Sequence, residues 1–354
     1  NSSVRWIIAA KELIVGTTRG IFTMSVNEYE AAVSPKTIRF ELADEINCKD
    51  EAYMVGTSIF FPNESGTQLL EYKYDGTIQR SNGNDVSKFI FPLITNDGIK
   101  RISVQETPQP RIWVLTNSGA LYCLTYQRQE EYYAWSKVEI AGNTPVLDIV
   151  VLREAYNSGL DQFFIIINKF GFSQHEVLSS IIDTDSEPTL YLDSSESGYI
   201  GSESSAYNPV TKELIITPAN LDVFRNNVLV DVVLNGVYVG QYRVVSGVIK
   251  VNVLLGTSLE RWEIGFKYNG ALQPMYPTWD GASKPSYGSD TARIISSRAN
   301  LVSSSRYSVG IDDKLEVVSA AGAVGTNDKV VTNQNDYIQD LLDSSGRQLI
   351  ADEP

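Results

Sequence analysis

The stretch of residues 111–126, RIWVLTNSGALYCLTY, contains two runs of β-branched, aromatic and aliphatic residues on either side of a short polar turn. Runs of this kind predict a β-hairpin, because the flanking side chains pair across the strands while the small residues reverse the chain. The sequence therefore predicts strands at 111–115 and 120–126, joined through Asn117, Ser118 and Gly119.

Hairpins of the same character are predicted at residues 13–25, at 58–74 and from 162 onward. Leu13, Ile59, Ile112 and Phe163 mark their first strands, which are 46, 53 and 51 residues apart. These separations are close to the repeat of β-propeller blades, each of which contains several strands and recurs every ~40–50 residues. Further blade strands are predicted at 37–42, 100–104 and 146–152, and an irregular β-sandwich with evenly spaced hairpins is the alternative.

The whole chain is predicted to be all-β, in three regions. Residues 1–217 form β-propeller-like blades, and residues 183–208, rich in Ser, Asp, Glu and Gly, form an exposed acidic loop. Residues 218–275 form a small inserted β domain, barrel-like or sandwich-like, in which a meander runs through 228–234, 237–245 and 248–255 and the segment 261–268 closes the unit. Residues 276–354 hold returning strands at 292–302, 306–311 and 314–319, a short helix at 336–342 and a polar C-terminal segment.

The charge balance argues against a protein that binds tightly to the phosphate backbone of nucleic acid. The 29 basic and 43 acidic residues give a net charge of −14, whereas nucleic-acid binders concentrate Lys and Arg. The longest apolar runs are far shorter than the ~20 residues of a membrane-spanning helix, so no membrane span is predicted. Because the chain begins at Asn1 without an initiator Met, we expect it to be a fragment of a longer protein.

No specific catalytic signature occurs in the sequence, so no catalytic, cofactor or metal residue is assigned and the protein is predicted not to be an enzyme. The two cysteines, Cys48 and Cys123, are interpreted as small buried hydrophobic residues, and His175 is the only histidine. The acidic stretch 183–187 has oxygens for a cation but lacks the glycine and final glutamate of an EF-hand loop, which favours a solvated loop. Tyr126, Tyr132, Tyr133 and Trp135 are interpreted as cross-strand packing residues, with an exposed stacking platform as the alternative.

Residues 111–128, followed by Tyr133-Ala134-Trp135, resemble a motif of the nozzle proteins of short-tailed bacteriophages, also called tail tubular protein B. Residues 13–25 and the segment Ile264–Met275 are similar to flanking pieces of that family. The resemblance implies a propeller-like β subunit, interrupted by a small β domain, that assembles as a ring of six at the distal end of the tail. It also implies contacts with adaptor and other tail proteins (tail fibres or spikes), localisation in the virion, and DNA that passes through the channel without sequence-specific binding.

Two other functions remain open from the sequence. A virion propeller module that recognises a host glycan or receptor through exposed loops is the first alternative. A glycoside hydrolase is the second, because 43 acidic residues always offer some pair of carboxylates. We expect an acidic wall to repel DNA over about a Debye length, ~8–10 Å at physiological salt, and so to favour sliding.

Overall fold

The computed structural model describes residues 2–10, 12–26, 38–75, 80–127, 132–142, 144–153, 159–178, 192–253 and 259–268, together with the backbone of four short strands between 306 and 349. The chain divides into two compact units, one made of Asn1–Ser186 with Tyr191–Tyr268 and the other of Glu187–Leu190 with Asn269–Pro354. Nearly all of the described regular structure is β, in several small antiparallel sheets, so the predicted all-β class is confirmed.

Four sheets follow one another along the first unit, and within each sheet neighbouring strands are consecutive in sequence. The first sheet contains β1 (Val4–Ala9), β2 (Leu13–Thr17), β3 (Gly20–Val26) and β4 (Ile38–Asp44). The second contains β5 (Tyr53–Val55), β6 (Ser58–Pro62), β7 (Leu69–Asp75) and β8 (Arg80–Asp85). The third contains β9 (Ile99–Gln105), β10 (Arg111–Thr116), β11 (Leu121–Gln127) and β12 (Tyr132–Val138), and the fourth contains β13 (Val146–Leu152), β14 (Gln162–Lys169) and β15 (Phe172–Leu178).

The third sheet is covered on both faces. Along β10, Ile112 and Val114 pack in one hydrophobic core, whereas Trp113 and Leu115 pack in another. Successive side chains of a strand point to opposite faces, so a strand with a nearly continuous apolar run must be covered on both sides. The neighbouring sheets provide that cover.

Three apolar cores link the four sheets in series. The first and second sheets share a core that includes Trp6, Ile21, Ile59 and Phe61. The second and third sheets share a core that includes Phe60, Leu69, Val114 and Leu124. The third and fourth share a core that includes Trp113, Leu121, Phe163 and Ile165. Each sheet therefore packs on the sheet that precedes it in the chain.

The four predicted hairpins are confirmed, as are the three additional strands predicted for these sheets. β2 pairs with β3, β6 with β7, β10 with β11 and β14 with β15. The segments predicted at 37–42, 100–104 and 146–152 form β4, β9 and β13. Three further strands of these sheets, β1, β5 and β8, were not predicted.

The α-helix of the described residues, α1 (Phe91–Asp97), was not predicted. It has a proline in its first turn and ends at Gly98, whose φ of 82° lies in the left-handed region and whose N–H donates to the carbonyl of Ile94. These are ordinary start and stop signals of a helix. With only seven residues, the segment is too short for these signals to predict a helix by themselves.

A two-layer β-sandwich follows the four sheets. Its strands are β16 (Asp193–Tyr199), β17 (Ser205–Asn208), β18 (Glu213–Ile216), β19 (Leu229–Leu234), β20 (Val237–Arg243), β21 (Ile249–Asn252) and β22 (Arg261–Phe266). One layer has the order β16-β22-β19-β20 and the other the order β17-β18-β21. Both layers contribute to one core, which includes Leu214, Val232, Ile249 and Trp262.

The prediction of an acidic loop over 183–208 is wrong for residues 193–199 and 205–208, which are strands, and residues 183–191 lie outside the described part. Residues 193–199 form β16, which pairs with β22, although Ser, Glu and Gly have low strand propensity. A Cβ at Gly198 would lie 2.7 Å from the indole of Trp262, so the glycine allows the two strands and this side chain to approach. Tertiary pairing therefore overrides local composition.

The predicted three-stranded meander is correct for its first hairpin, and its second turn, at Ser246 and Gly247, is present with a single bridge between Val245 and Val248. β19 pairs with β20 through Asn235 and Gly236, whose φ values of 48° and 77° are those of the expected tight turn. β21 pairs instead with β18 in the opposite layer. Because β16 and β18 precede residue 217 and pair with strands that follow it, both layers of the sandwich extend across the predicted boundary at that residue.

The described residues of the second unit form two hairpins. β23 (Arg306–Ile311) pairs with β24 (Lys314–Ser319), which confirms both predicted strands. β25 (Leu341–Leu342) pairs with β26 (Gln348–Leu349), so the helix predicted at 336–342 is wrong for its last two residues, and its other residues lie outside the described part. The strand predicted at 292–302 also lies outside it. Among the described residues, no helix is both long and apolar enough to cross a membrane.

Candidate functional site

Polar contacts bridge each junction along the first unit, and a carboxylate is central to each one. The first of these carboxylates belongs to Asp44 at the end of β4, and its Oδ2 accepts the N–H of Gly83 in β8 at 3.0 Å. Equivalent groups lie between the second and third sheets, between the third and fourth sheets, and where the fourth sheet meets the sandwich.

Glu71 forms the junction between the second and third sheets. Its carboxylate is fully buried and accepts the hydroxyl of Tyr126 at 2.9 Å and the hydroxyl of Tyr133 at 2.8 Å. The ammonium of Lys73 is 3.7 Å away, and the hydroxyl of Ser58 lies 3.2 Å from that of Tyr126. Hydrogen bonds to an ionised acceptor are stronger than neutral ones, so this cluster fixes the position of the third sheet on the second.

The aromatic residues of β11 and β12 belong to the same junction. Tyr126 is buried and lies 5.1 Å from Phe60 between ring centroids, in an edge-on contact. The indole of Trp135 donates to the carbonyl of Val86 at 2.9 Å. The interpretation of Tyr126, Tyr133 and Trp135 as packing residues is confirmed, while the side chain of Tyr132 lies outside the described part.

Asp161 forms the junction between the third and fourth sheets. Its buried Oδ2 accepts the backbone N–H groups of Glu106 at 2.6 Å and Thr107 at 3.0 Å, and the Asp161 N–H donates to the Thr107 hydroxyl at 2.9 Å. This reciprocal arrangement holds the chain that leaves β9 against the start of β14. The carboxylate thereby provides an acceptor for backbone N–H groups that are not paired within the sheets.

Lys169 lies at the junction between the fourth sheet and the sandwich. Its ammonium is buried, donates to the hydroxyl of Ser194 at 2.7 Å and lies 3.9 Å from the centre of the Phe266 ring. Ser194 in turn donates to the carboxylate of Glu176. Burial lowers the pKa of the Lys169 ammonium, while Glu176 and Asp193 act in the opposite direction.

Asp193 completes this junction. Its Oδ2 accepts the N–H of Ala141 at 2.6 Å, and burial raises the pKa of its carboxyl group, against the effect of that hydrogen bond and of Lys169. Ser194 has a φ of 50°, which is uncommon for a residue other than glycine. The start of β16 is therefore joined to the fourth sheet through Ser194 and to the loop before β13 through Asp193.

A serine beside a lysine is also an arrangement that some hydrolases use, with the lysine as the base. Here the Ser194 hydroxyl donates to Glu176 and accepts from Lys169, so the lysine acts as a charged donor. This geometry is that of an ion pair bridged by a hydroxyl, and it favours a structural link between the fourth sheet and the sandwich.

Both cysteines are buried, as predicted. Burial raises the pKa of the Cys48 thiol to about 12 and that of the Cys123 thiol to about 11. A thiol reacts as the thiolate, so both groups are chemically inert near neutral pH. His175 lies on β15 opposite Ile166, on the solvent side of the fourth sheet.

The acidic stretch 183–187 lies outside the described residues, so its interpretation stays a prediction. Within the described residues, no group of three or more His, Cys, Asp or Glu side chains is arranged to hold a metal ion. The junction carboxylates were not singled out from the sequence. For one of them the sequence does contain a signal, because the charged Glu71 directly follows two leucines within the strand β7.

Neither the models of known protein families nor the curated proteins match this chain.

Proposed function

We propose that this chain is a structural virion protein, a subunit of the ring-shaped nozzle at the distal end of a short phage tail. In this role it forms part of a channel and gate that retains DNA after packaging and releases it during infection. The resemblance of residues 111–135 to the nozzle proteins supports the proposal, and so does an architecture built from stacked sheets with polar links between them.

The observation that carries the proposal is the serial packing of the four sheets. Alternate residues of β10 serve two different cores, and the same holds for β6, where Phe60 packs towards the third sheet and Phe61 towards the first. Meanders that stack face to face in chain order are the building plan of a propeller sector. We infer that the four sheets are propeller-like blades, with the sandwich as the smaller β domain.

The charge of the chain suits a conduit. A protein that neutralises phosphates with Lys and Arg gains affinity through counterion release, and strong contacts of that kind would stall a moving DNA. With 43 acidic and 29 basic residues, the chain has a net charge of −14. We propose that more carboxylates line the inside of the ring than its outside, so that DNA slides without adhering.

Native mass spectrometry of the purified chain tests the proposal. A closed oligomer of defined stoichiometry is expected, with six subunits as the number that the resemblance implies. A monomer or a trimer that binds cell-surface polysaccharide would contradict the nozzle and support a receptor-binding module. Turnover of a polysaccharide that is lost on changing one carboxylate would contradict it in favour of a hydrolase.

A further inference from the structure

The fourth sheet and the sandwich meet through charged and aromatic side chains. The ammonium of Lys169 in β14 lies 3.9 Å from the centre of the Phe266 ring in β22. In the opposite direction, the guanidinium of Arg225 in the sandwich lies 4.7 Å from the centre of the Phe170 ring and 5.7 Å from that of Phe172. Each of the two parts therefore places a cation on an aromatic ring of the other, an attraction between positive charge and the negative face of the ring.

These two contacts form one continuous row across the junction. The rings of Phe170 and Phe266 are 6.0 Å apart between their centroids. Arg225 is also held in place by a hydrogen bond, which it donates to the carbonyl of Phe170 at 2.8 Å. We call the row the latch, and its members are Arg225, Phe170, Phe266 and Lys169.

The backbone of the β14–β15 hairpin presents Phe170 to the sandwich. Phe170 and Gly171 have φ values of 55° and 90°, which are the left-handed conformations of a tight two-residue turn. A positive φ is uncommon for an aromatic residue. The turn places the Phe170 ring at the tip of the hairpin, where Arg225 and Phe266 contact it.

Among the described buried residues, no apolar core spans this junction. The core shared by the third and fourth sheets is formed by residues between 113 and 167, and the core of the sandwich by residues between 200 and 266. The side chains of Phe170 and Phe172 both remain 44% exposed. Parts of a chain that meet through a small polar interface move relative to each other unless a large hydrophobic contact prevents it.

Opening the latch returns charged groups to water. Lys169 is buried, and its ammonium is linked to the carboxylate of Glu176 through the hydroxyl of Ser194. The desolvation penalty of a buried ion pair offsets most of its Coulombic attraction, so separation regains hydration in exchange for the lost contact. An apolar core between two sheets regains nothing comparable when it opens. The latch should therefore open at a lower free energy than any of the three sheet-to-sheet junctions.

We propose that the latch opens and recloses reversibly, so that the sandwich moves as a folded body relative to the fourth sheet while both keep their cores. Closure restores the two cation–ring contacts, and opening exposes them to solvent. This conformational change takes place within one copy of the chain, so it does not depend on the nozzle role. Local openings of this kind are a general property of folded proteins, at free energies below that of global unfolding.

The backbone amide of Ala141 reports the opening. This residue lies between β12 and β13 and is buried, and its N–H donates across the junction to Oδ2 of Asp193 at 2.6 Å. The central strands of the two parts provide the comparison, with Ile165 in β14 and Val232 in β19. Their amides are released only when a sheet opens. Hydrogen exchange of the full chain, resolved to single residues, therefore measures the latch and the sheets separately.

R225A removes the cation that the sandwich contributes to the latch. R243A is the matched control, because Arg243 is exposed and also donates to a backbone carbonyl, that of Asn227, but does so within the sandwich. R225K keeps a cation near the Phe170 ring and tests whether the charge is what matters. Circular dichroism confirms that each variant is folded.

In the unchanged chain we expect the amide of Ala141 to exchange at least about tenfold faster than those of Ile165 and Val232 after correction for intrinsic rates. R225A should accelerate Ala141 by about a further tenfold, because it loses both a cation–ring contact and a charged hydrogen bond. The two strand amides should keep their rates. R243A should leave all three amides unchanged, and R225K should fall between R225A and the unchanged chain.

Equal exchange of the three amides in the unchanged chain would overturn the inference, because the junction would then open only when the sheets do. This comparison needs no variant. Equal acceleration of all three amides in R225A would also overturn it, and so would an R225A chain in which Ala141 keeps its rate. Native mass spectrometry of the same sample separates the latch from the proposed function: a monomer with fast exchange at Ala141 would exclude the ring and retain the latch, and closed rings with equal exchange would do the reverse.

Discussion

Trp113 and Phe163 stack with their ring centroids 4.0 Å apart and their planes within 7° of parallel. Trp113 belongs to the third sheet and Phe163 to the fourth, and both side chains are buried. This pair is a direct contact between successive sheets, and most of its stabilising free energy comes from burying aromatic surface. The stability of the series therefore depends on contacts between sheets as well as on pairing within them.

We expect F163A to destabilise the protein strongly. Removing a fully buried aromatic ring from a packed core costs about 3–5 kcal/mol of unfolding free energy, from lost burial and from the cavity that remains. The control is F89A, because Phe89 is 78% exposed and its loss should change stability by less than about 0.5 kcal/mol. Urea unfolding followed by fluorescence measures both, and equal effects of the two substitutions would contradict the described core.

The hydrogen bonds of Glu71 predict an energetic coupling between the second and third sheets. E71Q keeps the shape of the side chain but removes the charge that accepts the Tyr126 and Tyr133 hydroxyls, and we expect a loss of about 1–3 kcal/mol. A double-mutant cycle of E71Q with Y133F should give a coupling free energy of about 1 kcal/mol. E203Q, at an exposed position, is the control, and a coupling near zero would mean that the two residues do not interact as described.

The thiols should be unreactive in the folded protein. Because burial raises the pKa of Cys48 to about 12 and that of Cys123 to about 11, almost no thiolate is present near pH 8. A thiol-specific disulfide reagent should therefore modify neither cysteine in the native protein and both after unfolding in denaturant. Rapid modification of one native cysteine would show that its side chain is accessible.

The same pKa shifts predict that stability falls at high pH. The unfolded chain loses its thiol protons near the ordinary value of 9.0, whereas the folded chain keeps them up to about 11 at Cys123 and about 12 at Cys48. The stabilisation by the protonated thiols is therefore complete below pH 9 and is lost as the pH rises through the folded-state values. At pH 10 we expect a loss of about 1 kcal/mol per thiol relative to pH 8.

A double variant, C48A with C123A, isolates this effect from the titration of tyrosine and lysine. Its unfolding free energy should fall less between pH 8 and pH 10 than that of the unchanged chain, by about 2 kcal/mol for the two thiols together. Identical pH dependence in the two proteins would contradict the burial of the thiols.

The acidic composition predicts weak adhesion to DNA. With a net charge of −14, the protein should show no saturable binding to a short duplex below about 10 μM at physiological salt, measured by fluorescence anisotropy. A basic protein of similar size, titrated into the same duplex, is the positive control. Submicromolar binding that weakens steeply with added salt would contradict an inert conduit.

The hairpins were predictable because their signal is local. Residues 111–126 combine alternating or continuous apolar residues with a small-residue turn, and β10 and β11 formed where expected. β8 was missed for the opposite reason, since Arg80–Asp85 is polar throughout and becomes a strand by pairing with β7. β16 shows the same effect in a segment of Ser, Glu and Gly. Strand propensity depends on the partner strand, which the local sequence does not contain.

The junction contacts were not predictable from the sequence, because each joins residues distant along the chain. Glu71 meets Tyr126 and Tyr133 across 55 and 62 residues, and Lys169 meets Ser194 across 25. The burial of the cysteines was easier to predict, because a free cysteine behaves as a small hydrophobic residue and is buried in most folds. The aromatic residues of β11 and β12 were assigned to packing correctly, but their partner sheet was not identified.

Electron microscopy of the purified chain, at a resolution that separates strands, tests the central claim most directly. That claim is that the four stacked sheets are propeller-like blades of a subunit that assembles into a closed ring. The account predicts closed rings in which each copy contributes its four sheets as blades packed in chain order. Isolated single copies, or copies in which the four sheets do not pack in series, would contradict it.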